Sequence, residues 1–326
     1  MGLIVCKFGG TSLAAAAQLD AVRRIVQSDP RRRLIVASAP GRRSPDDQKI
    51  TDLLIHRQLD RAKARLQRLA DDAGADIFIQ LPPNASDDFL ASRGEYYCAK
   101  ILAHTLGCTF VDAARLIRFD DNGALDPVLT AAAIRQHLAP DRPAVIPGFY
   151  GSMPNGHIRT LPRGGSDTTG ALIAAAMQAD LYENFTDVPG LFDTDPALAR
   201  DAQSVPFASY DEVRLLAHCG ASVLHEDALS PVQLAGIPIR LCSTFAPELP
   251  GTFISAAPAD RPMLSAIDDG DAVRCAAAGR IPPHFMPALQ ARFPDVPIIR
   301  LPCGITFTLP LPPSGAVPLL RGMLYP

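Results

Sequence analysis

Leu161-Pro162-Arg163-Gly164-Gly165-Ser166-Asp167-Thr168-Thr169 runs straight into Gly170-Ala171-Leu172-Ile173-Ala174-Ala175-Ala176-Met177. The first part packs a cation, two glycines, a carboxylate and three hydroxyls into one short turn. The second part is an alanine-rich apolar run that reads as a helix. A glycine turn feeding a helix N-terminus leaves free backbone N–H groups, and these together with the helix dipole favour an anion. A second turn of the same kind opens the chain. Leu3-Ile4-Val5-Cys6 is an apolar strand, Lys7-Phe8-Gly9-Gly10-Thr11-Ser12 is the turn, and a helical pattern follows. Two such turns, carrying Lys7 and Asp167, point to one phosphate-handling site assembled from distant parts of the chain.

Strand, turn and helix repeat outward from these two stretches. Leu34–Ala37 and Ala144–Ile146 are short apolar runs bounded by turn residues, the mark of buried parallel strands, and Leu181–Phe185 and Ile237–Leu241 read as two further strands. Between them the spacing predicts helices after Ser12, over Thr51–Ala73, over Ser92–Leu102 and over Thr130–Leu138. A capping box, Ser209-Tyr210-Asp211-Glu212, starts another. The pattern predicts an α/β fold with a mainly parallel sheet sandwiched by helices. From residue 258 the character changes, and thirteen prolines crowd the last stretch. A boundary is placed at 257, with a small α+β region over 258–326. There the pattern predicts one strand at Ala272–Ala278, a helix at His284–Phe293 and two strands at Pro297–Pro302 and Ile305–Leu309.

With 326 residues and 48% hydrophobic content the chain can bury a sizeable core. A net charge of −3 gives no sign of nucleic acid or membrane as partner. The seven cysteines are scattered without a Cys-x-x-Cys pair, which argues against zinc or a disulfide framework and fits a reducing cytoplasm. Neither a signal-peptide pattern nor a run of transmembrane length is present in the sequence.

The two glycine turns resemble the signatures of the aspartokinases, a branch of the amino acid kinase family. Ser38-Ala39-Pro40-Gly41, Lys49-Ile50-Thr51-Asp52, Ser92-Arg93-Gly94-Glu95, Pro147-Gly148-Phe149, Thr186-Asp187-Val188 and Val223-Leu224-His225 resemble further aspartokinase segments in the same order, over residues 2–256. The resemblance implies ATP- and magnesium-dependent phosphorylation of the L-aspartate side chain, the first step toward lysine, threonine and methionine, by a cytoplasmic homodimer. It implies Lys7 and Asp167 as catalytic, and Thr51, Glu95, Phe149, Arg163 and Ser166 as substrate-binding. Gly9, Gly10, Thr11, Ser12, Thr186, Asp187 and Phe192 join Lys7 at the nucleotide. Magnesium arrives on the ATP phosphates without a direct protein ligand. Arg93 is expected to pair with Glu95. Where the family commonly has Asp-Pro-Arg, this chain has Asp195-Pro196-Ala197, and Arg200 is the nearest replacement cation. Residues 258–326 resemble a reduced ACT domain. Two alternatives are a kinase for another small amino-acid carboxylate and a non-catalytic amino-acid-binding subunit.

Overall fold

The structure, a computed structural model, describes residues 2–162, 164–221, 224, 226–270 and 272–325. In chain order the larger part holds β1 (Ile4–Phe8), α1 (Ala16–Gln27), β2 (Arg32–Ala37), α2 (Ile50–Ile55), α3 (Leu59–Asp72), α4 (Asp87–Leu106), β3 (Thr109–Phe110), α5 (Pro127–His137), β4 (Ala144–Pro147), β5 (Tyr150–Ser152), β6 (Ile158–Thr160), α6 (Gly165–Ala176), β7 (Leu181–Thr186), β8 (Leu191–Phe192), β9 (Ser204–Val205), β10 (Phe207–Ser209), α7 (Tyr210–His218), α8 (Leu229–Leu234), β11 (Ile239–Ser243) and β12 (Thr252–Ser255). Eight of the strands form one sheet in the order β10-β12-β11-β7-β1-β2-β4-β3. From β11 to β3 all neighbours are parallel, and β12 joins antiparallel to β11.

Alternation along β1 divides the interior. Leu3 and Val5 pack with Ile173 of α6 and Tyr182 of β7, while Ile4, Cys6 and Phe8 pack with Leu19 of α1 and Ile101 of α4. Each such side chain taken fully out of water contributes about 1.5–3 kcal/mol, so the sheet can only be read as buried on both faces.

The predicted helix over Thr51–Ala73 is in fact two, α2 and α3. Arg57 sits between them at φ 53, with its N–H on the Leu54 carbonyl and the Gln58 N–H on that of Leu53. These bonds close a Schellman cap. The Arg57 guanidinium steadies it by reaching Pro83 O, Ala85 O and Asp87. Helix α4 begins earlier than predicted, because Ser86 caps it by accepting from the Phe89 N–H.

The C-terminal part holds β13 (Pro262–Asp268), β14 (Val273–Gly279), α9 (Phe285–Arg292), β15 (Ile298–Leu301), β16 (Gly304–Leu309) and α10 (Pro313–Leu324). Its sheet runs β13-β14-β16-β15, all antiparallel. This is the ferredoxin-like βαββαβ order with the last strand moved to the front. The sequence reading missed β13 and α10 because it took the prolines as breakers. Pro262 opens a strand, Pro313 opens α10 and Pro287 lies in the first turn of α9, where backbone N–H groups have no intrahelical partner to lose.

Candidate active site

Lys7 stands one residue before the end of β1, directly opposite Asn184 of β7. Its ammonium lies 2.6 Å from Asp167 Oδ1 and 3.4 Å from Asn184 Oδ1. Asn184 closes the triangle by donating from Nδ2 to Asp167 Oδ1 at 2.8 Å. Asp167 is in the first turn of α6, which Gly164 opens in the left-handed conformation at φ 75. Behind it, Tyr182 Oη donates to the Asp167 carbonyl, and Gly170 leaves room for that ring, since a Cβ there would lie 2.6 Å from the hydroxyl oxygen.

The triangle faces a cleft of about 430 Å³ at the carboxyl ends of β1, β2, β4 and β7, the place where open α/β sheets bind ligands. One wall is the Gly9-Gly10-Thr11 turn and the loop after β2. Gly10 sits against that loop: a Cβ would fall 2.8 Å from Ala39 O. Its backbone torsions are ordinary helical ones, so the glycine is needed for close approach and not for its conformational range. Thr51 of α2, Glu95 of α4, Phe149, Ser166, Thr186 and Asp187 complete the walls.

Phe149 is held at φ 78, an uncommon region for a residue with a side chain. Its N–H donates to Thr169 Oγ1 and its carbonyl accepts from the Leu161 N–H. Gly148 before it lies so close to Ser166 that a Cβ would come within 2.5 Å of Oγ. The strained turn, worth about 1–3 kcal/mol, is thus locked onto the first turn of α6.

Glu95 is buried, and burial pushes its carboxyl up to about 8 against the opposing backbone hydrogen bonds and the charge of Arg93. Its Oε2 has no hydrogen-bond partner. Arg93 does not pair with it as expected. That guanidinium lies 4.2 Å from the ring centres of Phe89 and Tyr96 and 5.5 Å from that of Tyr150, and donates to Phe89 O and Ser92 Oγ. Glu95 thus lines the cleft with its carboxyl shifted toward the protonated form.

The structure therefore brings together Lys7, Gly9, Gly10, Thr11, Thr51, Glu95, Phe149, Ser166, Asp167, Thr186 and Asp187. It does not bring Ser12 or Phe192 to the cleft. Ser12 is buried with Oγ 2.6 Å from Thr244 Oγ1, and Phe192 lies half-buried on β8 opposite Ser204. Arg200 is exposed in a separate depression beside Arg321 and Tyr325. Arg163 and His225 lie outside the described residues. Sequence reasoning missed Asn184, whose role depends on strand register, and gave no role to Arg42 and Lys49, which also line the cleft. Among the described residues no group of three or more His, Cys, Asp or Glu side chains is placed to hold a metal ion, and no helix is long and apolar enough to cross a membrane.

Residues 2–243 match the model of the amino acid kinase family. Aspartokinase 3 of Bacillus subtilis is 33% identical over 289 residues, which is 76% of this chain and 62% of the relative. The chain thus spans less than two thirds of the length of the curated relatives it matches first. Among solved structures, the aspartate kinase of Clostridium acetobutylicum superposes with a TM-score of 0.74 at 32% identity, covering 95% of this chain and 78% of that one. Aspartokinase III of E. coli, in complex with aspartate and ADP, gives a TM-score of 0.69 at 25% identity, with 96% and 79% covered.

Proposed function

The chain belongs to the amino acid kinase family, and on that premise we propose that it transfers the γ-phosphoryl group of ATP to the side-chain carboxylate of L-aspartate, giving 4-phospho-L-aspartate. The observation that carries the reading is the Lys7–Asp167–Asn184 triangle facing an open cleft between two glycine turns. The aspartate and ADP held by the E. coli relative support it.

The chemistry suits these residues. A carboxylate is ionised at neutral pH, so the acceptor needs no general base. A carboxylate oxygen forms the new bond to phosphorus as the bond from phosphorus to the ADP oxygen breaks. What remains is to hold two anions together and to steady charge on the group in transit. Asp167 and Asn184 hold the Lys7 ammonium at the strand end, where it meets that charge. The Gly10 and Thr11 backbone and the start of α6 offer N–H donors to phosphate oxygens, the Gly9 N–H being held by Phe185 O. Magnesium, entering on the phosphates, supplies further charge neutralisation. Glu95 receives the substrate ammonium and ionises as it does so, while Thr51, Phe149 and Ser166 shape the rest of the amino-acid pocket, and Thr186 and Asp187 border the nucleotide; Arg163 is the residue proposed to pair with a substrate carboxylate.

The same reading takes residues 1–257 as the catalytic domain and 258–326 as a reduced ACT-like domain. It places the enzyme in the cytoplasm, as a homodimer, at the head of lysine, threonine and methionine synthesis. The test is hydroxylamine trapping of the acyl phosphate with ATP, magnesium and a panel of amino acids. Hydroxamate from aspartate alone supports the proposal. Hydroxamate from another amino acid instead moves the substrate, and no hydroxamate with any of them overturns the kinase reading.

A further inference from the structure

A nucleoside triphosphate brings about four negative charges to its site, and Lys7 is already partnered by Asp167. Two further cations line the cleft. Arg42 and Lys49 flank the loop between β2 and α2, both are exposed, and neither has a carboxylate partner among the described residues. Their neighbour Arg43 behaves differently: its backbone N–H and Nε both donate to Asp47 Oδ2, at 3.1 and 3.0 Å.

The loop that carries them is tied at both ends by one side chain from outside the cleft. Arg65 of α3, only 12% exposed, donates from Nη2 to Gly41 O at 2.9 Å and from Nη1 to Gln48 O. Its Nη2 also lies 3.1 Å from Asp47 Oδ2. Gly41 in turn donates its N–H to Gly10 O at 2.7 Å, and a Cβ at Gly41 would fall 2.7 Å from the Thr11 nitrogen. The loop is therefore seated on the first glycine turn at one end and clamped by Arg65 at both.

We propose that this loop is a polyphosphate clamp: Arg42 and Lys49 bind the phosphates of the nucleotide, and Arg65 is a positioning residue that sets the loop through Gly41, Gln48 and Asp47. The proposal rests on the kinase reading above and adds to it where the phosphate charge is met. The guanidinium fork explains why a planar donor is used at position 65, since it satisfies two carbonyls and a carboxylate that point in different directions.

Calorimetric binding of adenosine, AMP, ADP and ATP with magnesium, to the full chain, tests it. For the wild type the affinity rises with each phosphate. In the Arg42→Ser/Lys49→Gln double variant ATP affinity falls by at least about tenfold, ADP less, and adenosine not at all, and the salt dependence of ATP binding becomes shallower. Arg65→Gln gives the same graded loss, and adding it to the double variant produces no further loss, because it acts only through the loop. Asp47→Asn, a milder change, shows the same grading if Arg65→Gln fails to fold. Unchanged ATP affinity in the double variant, or an equal loss for adenosine, overturns the clamp. A further loss from Arg65→Gln in the double variant overturns the positioning role. A wild type that binds none of the four ligands removes the kinase reading, and this inference with it.

Discussion

Cys6 and Lys7 are neighbours on β1, and Glu183 and Asn184 face them in register on β7, yet the two pairs do opposite work. On the face covered by α1 and α4, Glu183 is 1% exposed and takes both Arg32, at 2.6 and 3.1 Å, and Arg240, at 3.2 Å. The Cys6 thiol donates to the same carboxylate at 3.5 Å, and burial and that charge push its pKa well up. On the other face Lys7 and Asp167 form a similar ion pair that opens onto the cleft. A carboxylate closed in by two guanidinium groups holds strands together, even though Arg32 also borders a separate depression beside Phe185 and Thr244; a lysine ammonium facing the cleft can spend its charge on a ligand. The difference lies in what each charged group faces.

The largest effect separating the two faces should come from Glu183→Ala. It leaves two guanidinium groups without their buried carboxylate, and a broken buried pair costs about 3–5 kcal/mol. Urea unfolding should show that loss, while the protein that remains folded keeps its kcat. A stable variant with lost turnover would reverse the assignment of the two faces.

Lys7→Ala should do the converse, lowering kcat by at least about 100-fold with little change in unfolding free energy, since the ammonium acts mostly on the transition state. Near-normal turnover in steady-state assays would show that the Lys7–Asp167 pair is as structural as the Glu183 cluster.

Glu95 sharpens the point with pH. Its folded value of about 8 lies above the ordinary 4.5, so the folded protein keeps a proton that the unfolded chain has lost. Its contribution to stability therefore declines as pH rises between these values. Binding an ammonium group below about pH 8 must expel that proton. The KM for aspartate should fall by up to about tenfold per unit as pH rises toward 8, and Glu95→Gln should flatten the profile. A flat wild-type profile would mean that Glu95 does not meet the ammonium.

The smallest effect is expected from Cys6→Ala, beside Lys7 but on the face of Glu183. Losing a buried sulfur and a weak hydrogen bond should cost about 1 kcal/mol in thermal unfolding and leave kcat untouched. A fall in turnover comparable to that of Lys7→Ala would show that the faces are not independent.

The local devices of this fold were readable in the chain. Apolar runs mark β1, β2 and β4, and the Ser209–Glu212 box caps α7 with both bonds formed. The glycine turns at Gly9 and Gly164 feed helical turns as their composition predicts. These depend on residues a few places apart, so the sequence carries them. The Lys7–Asn184 pairing joins positions 177 residues apart, and it exists only because β1 and β7 align in one register. The protonation of Glu95 is set by how much water the surrounding helices exclude, and the aromatic cage of Arg93 by where the Tyr150 ring lands. The strand β13 and the helix α10 escaped the reading because a proline need not end an element: Pro262 and Pro313 stand at first positions, and α10 runs on through Pro318 in its interior. Whether a proline ends an element depends on where the element begins and on what packs against it. Register, burial and end position are long-range quantities, and the folded chain alone supplies them.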